Sequence, residues 1–149
     1  MATMGFRPYP QPIADRITVL PEASGTQTFK RGDLVIFSSG TVAVATDDDD
    51  VFGVAMNDAS GTANTDTEVY VIQPGDKFIA EASTTTAVSN QGVAYALVMT
   101  SGSMAVNPGS TTTAAFYIDA LDPRDGPTTG AGGRVIGRFI YTSIDGIGG

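Results

Sequence analysis

The sequence predicts an all-β protein built as one small antiparallel β-barrel or sandwich, and three observations carry that reading. Short β-branched and aromatic runs, such as Leu34 to Phe37 and Val69 to Ile72, are separated by Gly, Ser, Asp and Pro clusters at the spacing of consecutive strands. Glycine is frequent at 18 of 149 residues and threonine recurs throughout, a composition that suits pleated surfaces joined by tight turns. No window of a dozen residues carries a helical stripe of apolar positions. At this length the chain is most simply one domain, able to bury roughly 70% of its unfolded surface.

Residues 1–21 have a composition of their own. Pro8, Pro10, Pro12 and Pro21 deny ladder hydrogen bonds and bias their neighbours to extended backbone, so the segment reads as an extended N-terminal arm rather than a central strand. The legible strand series begins after a loop at 22–27. Lys30-Arg31-Gly32-Asp33 is a turn that feeds the run Leu34 to Phe37, and Ser38-Ser39-Gly40 turns the chain into Val42 and Val44. Val51 to Met56 is the next strand, and the small polar stretch 57–67 is a loop. Residues 68–73 alternate Val69 and Val71 with Tyr70 and Ile72, which reads as a strand buried on both faces or at an interface. Pro74-Gly75-Asp76 is expected to close a hairpin with 77–82. After a loop at 83–90 come a strand at 93–100, the turn Ser101-Gly102-Ser103 and a short return at 104–106. Strands at 114–121 and 134–144 flank a long loop at 122–133. The expected division is therefore an arm at 1–21 and a barrel domain at 22–149. There is no exact internal repeat; Val51-Phe-Gly-Val-Ala and Gln91-Gly-Val-Ala-Tyr are alike but too short to argue from.

These faces place Leu34, Ile36, Val42, Val44, Phe52, Val54, Val71, Phe78, Leu97, Phe116, Ile118, Ile136 and Ile140 in the core.

Composition narrows the chemistry. The chain has no cysteine and no histidine, which removes thiol chemistry, the commonest general base and the commonest transition-metal ligand. Net charge is −8, which argues against a nucleic-acid partner. The acidity is uneven. Residues 1–31 carry Arg7, Arg16, Lys30 and Arg31 against Asp15 and Glu22, whereas 47–81 is strongly acidic. The leading residues lack the apolar core of a signal peptide, and no apolar run approaches the ~20 residues that span a bilayer. A soluble protein made in the cytoplasm, with no membrane partner, is expected.

The possible sites are weak. Arg31-Gly32-Asp33 spells an adhesion tripeptide but sits where Gly-Asp makes a strand entry. Asp47 to Asp50 gathers four carboxylates without the alternating spacing of a calcium loop, so a solvated acidic turn is expected and no metal is assigned. Asp122-Pro-Arg-Asp-Gly126 reads as a turn. A serine nucleophile would need Lys30 or Lys77 as its base, and neither has apolar neighbours to lower its pKa. Neither a catalytic residue nor a cofactor is assigned, and the chain is read as a non-enzyme. The arm is the informative part. Phe6, Tyr9, Ile13, Ile17 and Leu20 are more apolar surface than a free tail spends, and Arg7 and Arg16 add cations to an acidic chain. The arm packs on its own domain, or these seven residues contact another subunit or partner while the barrel folds without them, with a plainly disordered tail as the remaining alternative.

The sequential order of these features carries a resemblance. An arm rich in proline is followed by Phe29-Lys-Arg-Gly-Asp-Leu-Val35 with its Ser-Ser-Gly turn, and then by Val51-Phe-Gly-Val-Ala-Met56. Val69-Tyr-Val-Ile-Gln-Pro-Gly-Asp-Lys-Phe-Ile-Ala80, Gln91-Gly-Val-Ala-Tyr-Ala-Leu97 and Arg134-Val-Ile-Gly-Arg-Phe-Ile140 complete the series. Over roughly residues 27–141 this resembles the capsid decoration (cement) proteins of tailed bacteriophages, which have a small β-tulip barrel. The resemblance implies a structural protein on the outer surface of the virion head. It would bind the major capsid protein, bridge capsomers and associate with itself, commonly as a homotrimer, with the arm often making the shell contact. The long 122–133 loop is not explained by it. Another virion β-module, such as a head fibre or tail component, or less readily a carbohydrate-binding module, are the alternatives.

Overall fold

The computed structural model describes residues 5–46, 51–122, 128–129 and 133–140. The expected all-β class is what the chain adopts, with strands antiparallel in two principal sheets. The strands are β1 (Phe6–Pro8), β2 (Ile17–Pro21), β3 (Leu34–Ser38), β4 (Thr41–Val44), β5 (Gly53–Ala55), β6 (Asp66–Val71), β7 (Phe78–Glu81), β8 (Thr86–Ala87), β9 (Ala94–Val98), β10 (Ala105–Asn107), β11 (Phe116–Leu121), β12 (Thr128–Thr129) and β13 (Arg134–Phe139). Helical backbone among the described residues is confined to two single turns of 3-10 helix, Ala14–Arg16 and Val88–Asn90.

The first sheet runs in the order β2-β6-β5-β3-β4. Its two edges meet through a parallel bridge between Glu22 and Val42, so the sheet curls back on itself. The second runs β1-β7-β13-β11-β9-β10, and a parallel bridge between Ala82 and Val106 joins β7 to β10 in the same manner. Leaving β1 aside, the two halves are the same five-stranded design. Their strand order is matched element by element, and so is their register. Leu34 faces Val54 and Val54 faces Tyr70 in the first half, as Ala94 faces Tyr117 and Tyr117 faces Arg138 in the second. Gly32 N–H donates to the Ala55 carbonyl at 2.8 Å, and Gly92 N–H to that of Ile118 at 2.7 Å. Ala23 donates to Val42 at 2.9 Å, and Ser83 to Val106 at 2.8 Å. The chain is thus a structural duplication. The two similar Gly-Val-Ala passages are not its equivalent parts, because Gly53 lies in β5 whereas Gly92 precedes β9.

Both short hairpins form where turn chemistry placed them. Ser39 and Gly40 both take positive φ, 53° and 83°, the twist that joins β3 to β4 compactly. The β9–β10 hairpin turns at Ser101-Gly102. The expected hairpin at Pro74–Asp76 does not form. The turn is there, closed by Asp76 N–H donating to the Gln73 carbonyl at 3.1 Å and Gln73 N–H to the Asp76 carboxylate at 3.0 Å. Its flanking strands go to different sheets, β6 beside β2 and β5, β7 beside β1 and β13. Residues 72–77 are therefore the crossover between halves. The physical reason lies in β6, where Val69 packs inside the first half while Tyr70 and Ile72 bury against the second.

The N-terminal segment is woven into this frame. β1 pairs with β7 and β2 with β6, so residues 6–8 and 17–21 each lie on the margin of a different sheet. Edge positions are where prolines are tolerated, which accounts for Pro8 and Pro21 in strands. Phe6 is 1% exposed, its ring 5.5 Å from Phe116 and 5.3 Å from Phe139. A body beginning at residue 22 would lose both strands and this ring.

One large cluster unites Phe6, Leu34, Val54, Tyr70, Ile72, Phe78, Leu97, Phe116, Ile118 and Phe139, and a smaller one holds Phe29, Val35, Val42, Ala55 and Val69. Of the expected core, Val71 and Ile136 are also buried, whereas Ile36, Val44 and Phe52 are half-buried. Ile140 corrects the expectation at 38% exposed, because it points from the outer side of β13. The loops at 83–90 and 122–133 are joined, since β8 pairs with β12.

Candidate interaction surface

Alternation along β1 sends Phe6 and Pro8 inward and Arg7 outward. Tyr9 N–H donates to the Lys77 carbonyl at 2.9 Å, which extends the pairing by one residue; the Tyr9–Pro10 bond is cis. The segment 6–12 then forms one wall of a cleft of about 640 Å³. Arg31, Gly32, Ala55, Met56, Ile79 and Asp122 line the remainder. Arg7 and Arg31 are exposed, whereas the Asp122 carboxylate is buried and lies 3.5 Å from the Arg134 guanidinium. Proline rings, a tyrosine, a methionine and two guanidinium groups can hold an extended peptide carrying a carboxylate. Such groups supply apolar contact and charge-assisted hydrogen bonds and require no covalent chemistry.

Arg7 and Tyr9, with Phe6 beneath them, are brought together at this cleft. Tyr9 is 38% exposed. Ile13, 49% exposed, follows with its N–H donating to the Tyr70 hydroxyl at 3.3 Å. The remaining three serve the chain itself. Arg16 grips the crossover turn with two hydrogen bonds to Asp76, at 3.0 and 3.2 Å, and this bonding raises its pKa above the ordinary arginine value. Ile17 and Leu20 are half-buried against the large and small clusters respectively. Phe6 is buried and presents no ring to a partner. Arg31, Met56, Ile79 and Asp122 were not expected here; Arg31 stood out in sequence only as part of the basic leading segment and Asp122 only as part of a turn.

Other candidates resolve into structure. Asp33 is buried, accepting N–H bonds from Lys30 at 2.9 Å and from Gly102 at 2.8 Å, so the Arg-Gly-Asp aspartate is a tie between the halves and not a displayed ligand. Glu22 is likewise buried and accepts from Ser60 and Gly61, which fixes the 57–65 loop. Lys30 and Lys77 are exposed. Asp47 to Asp50 lie outside the described residues. Among the described residues no three acidic side chains gather as a metal site, and no helix is long and apolar enough to cross a membrane.

Comparison with known proteins adds no family: no family model, curated protein or solved structure matches this chain.

Proposed function

We propose that this chain is a structural decoration protein of a tailed-phage head, binding the outer surface of the major capsid protein and associating with itself, as a homotrimer, to bridge capsomers. The observation that carries the reading is the division of labour within residues 6–20. Phe6, Ile17 and Leu20 pack on the chain's own clusters, while Arg7 and Tyr9 stay at the surface on the cleft wall and Ile13, just past that wall in sequence, is exposed. They add exposed basic and apolar surface to a chain of net charge −8. The order of motifs along the sequence supports the same class. A reinforcing protein works by burial alone, and a chain without histidine or cysteine is suited to that. Covering several hundred Å² of apolar surface yields several kcal/mol at ~25 cal/mol/Å² before ordering costs, and the gain recurs at every symmetry-related site.

Point variants test this better than truncation, which would remove strands. Full-length protein carrying Arg7→Glu, Tyr9→Ala and Ile13→Asp should melt close to the unaltered protein yet fail to co-sediment with heads that lack it. Co-sedimentation equal to the unaltered protein's would refute the assignment of this surface.

A further inference from the structure

The duplication contains an interface, and its second copy is only partly covered by the described residues. In the first half the outward side chains of β3, β5 and β6 with the residue after it, Leu34, Val54, Tyr70 and Ile72, are all within 1% of full burial. They lie against the second half, where Tyr70 meets Phe78 edge-on at 5.7 Å and Leu34 N–H points at the Met104 sulfur at 3.0 Å. Matched register gives their counterparts in the second half as Ala94, Tyr117, Arg138 and Ile140. These are half-buried or exposed. Ile140 is 38% exposed, and the Arg138 guanidinium lies 5.0 Å over the Tyr117 ring and 3.5 Å from Asp119.

The first half's face reaches the second half at Phe78 and Met104, at the end where the Phe78, Phe116 and Phe139 rings converge with Phe6. The corresponding end of the first half carries Thr18, Gly53 and Val71 by register, and beside them Phe37 and Phe52 with rings 5.1 Å apart. Phe37 is 39% exposed and Thr18 is exposed, although the Phe78 that corresponds to Thr18 is fully buried. The internal contact is therefore head-to-tail, face against end, and among the described residues each half leaves one member of that pair partly exposed.

We propose that the outer face of β9, β11 and β13 is a self-association surface that receives the Phe37/Phe52 end of a second copy. The contact between halves would then repeat between chains. Such a heterologous contact closes into a ring or continues as an open series. Tyr117 and Arg138 stand where the internal face has Val54 and Tyr70. The more polar face suits a contact that each chain survives without. This rests on the self-association in the function proposed above, and not on capsid binding.

The chain has no cysteine, so a thiol placed in it is unique. Full-length Phe37→Cys and Tyr117→Cys proteins, mixed and treated with a short bismaleimide, should give a 37–117 linked dimer, and neither alone should link. Light scattering should show an oligomer for the unaltered protein and a monomer for Ile140→Asp, with melting curves confirming that all variants fold. A monomeric unaltered protein overturns both the self-association and this surface. An oligomer that persists in Ile140→Asp, or links 117 to 117 in place of 37 to 117, overturns the surface and leaves self-association standing.

Discussion

Phe6→Ala tests whether the N-terminal segment belongs to the fold. Its ring is 1% exposed and packs against Phe116 and Phe139. A buried phenylalanine removes roughly 150–250 Å² from water. At ~25 cal/mol/Å², less what an alanine retains, the truncation should cost ~3–5 kcal/mol, the range seen for such changes in cores. For a domain of this size each kcal/mol lowers Tm by about 2–4 °C, so a fall of ~6–20 °C is expected. Guanidinium unfolding would measure it directly, with the midpoint displaced and the slope unchanged. Tyr9→Ala, three residues on but exposed, is the control and should cost less than ~1 kcal/mol. A Phe6→Ala loss below ~1 kcal/mol would refute the reasoning and return residues 5–12 to the status of a detachable arm.

Two further outcomes follow from the packing. In Gly137→Ala the new methyl would fall on the Tyr117 carbonyl and the Phe116 ring, so destabilisation on the order of 3 kcal/mol is expected; a melting curve unchanged from the parent would show that β11 and β13 can separate there. Burial raises the Tyr70 phenol above the ordinary value of about 10, so the folded chain holds its proton longer than the unfolded chain does. That contribution is complete below about pH 10 and is lost as pH climbs through the folded-state value. Urea unfolding between pH 8 and 11 should show a steeper alkaline decline for the parent than for Tyr70→Phe, and identical declines would contradict it.

The sequence was legible where local chemistry decides structure. Ser39-Gly40 and Ser101-Gly102 specify tight turns, and alternation in the flanking runs then sets the hairpins. Pro74–Asp76 misled because a turn fixes a change of direction and not whether the flanking strands pair; burial of Tyr70 and Ile72 against the other half decides that. The duplication left no readable repeat because equivalent interior positions carry residues of different size. Val35 answers to Tyr95, Ala55 to Ile118 and Val69 to Gly137, so large and small residues exchange places around each interior. The candidate surface was half legible. Proline spacing and charge singled out Arg7 and Tyr9, yet composition cannot distinguish an apolar residue that fills the chain's own core, such as Phe6, from one held out for a partner, such as Ile13. The second wall of the cleft comes from Arg31, Met56, Ile79 and Asp122, which only the folded topology brings together.

A decoration protein of the kind proposed reinforces a shell by binding its exterior. Heads prepared with and without it, heated while DNA release is followed by dye fluorescence, test that claim most directly. Release should come at a higher temperature when the protein is bound, and return to the bare-head temperature with the Arg7→Glu, Tyr9→Ala, Ile13→Asp protein. Identical release temperatures with and without saturating unaltered protein would contradict it.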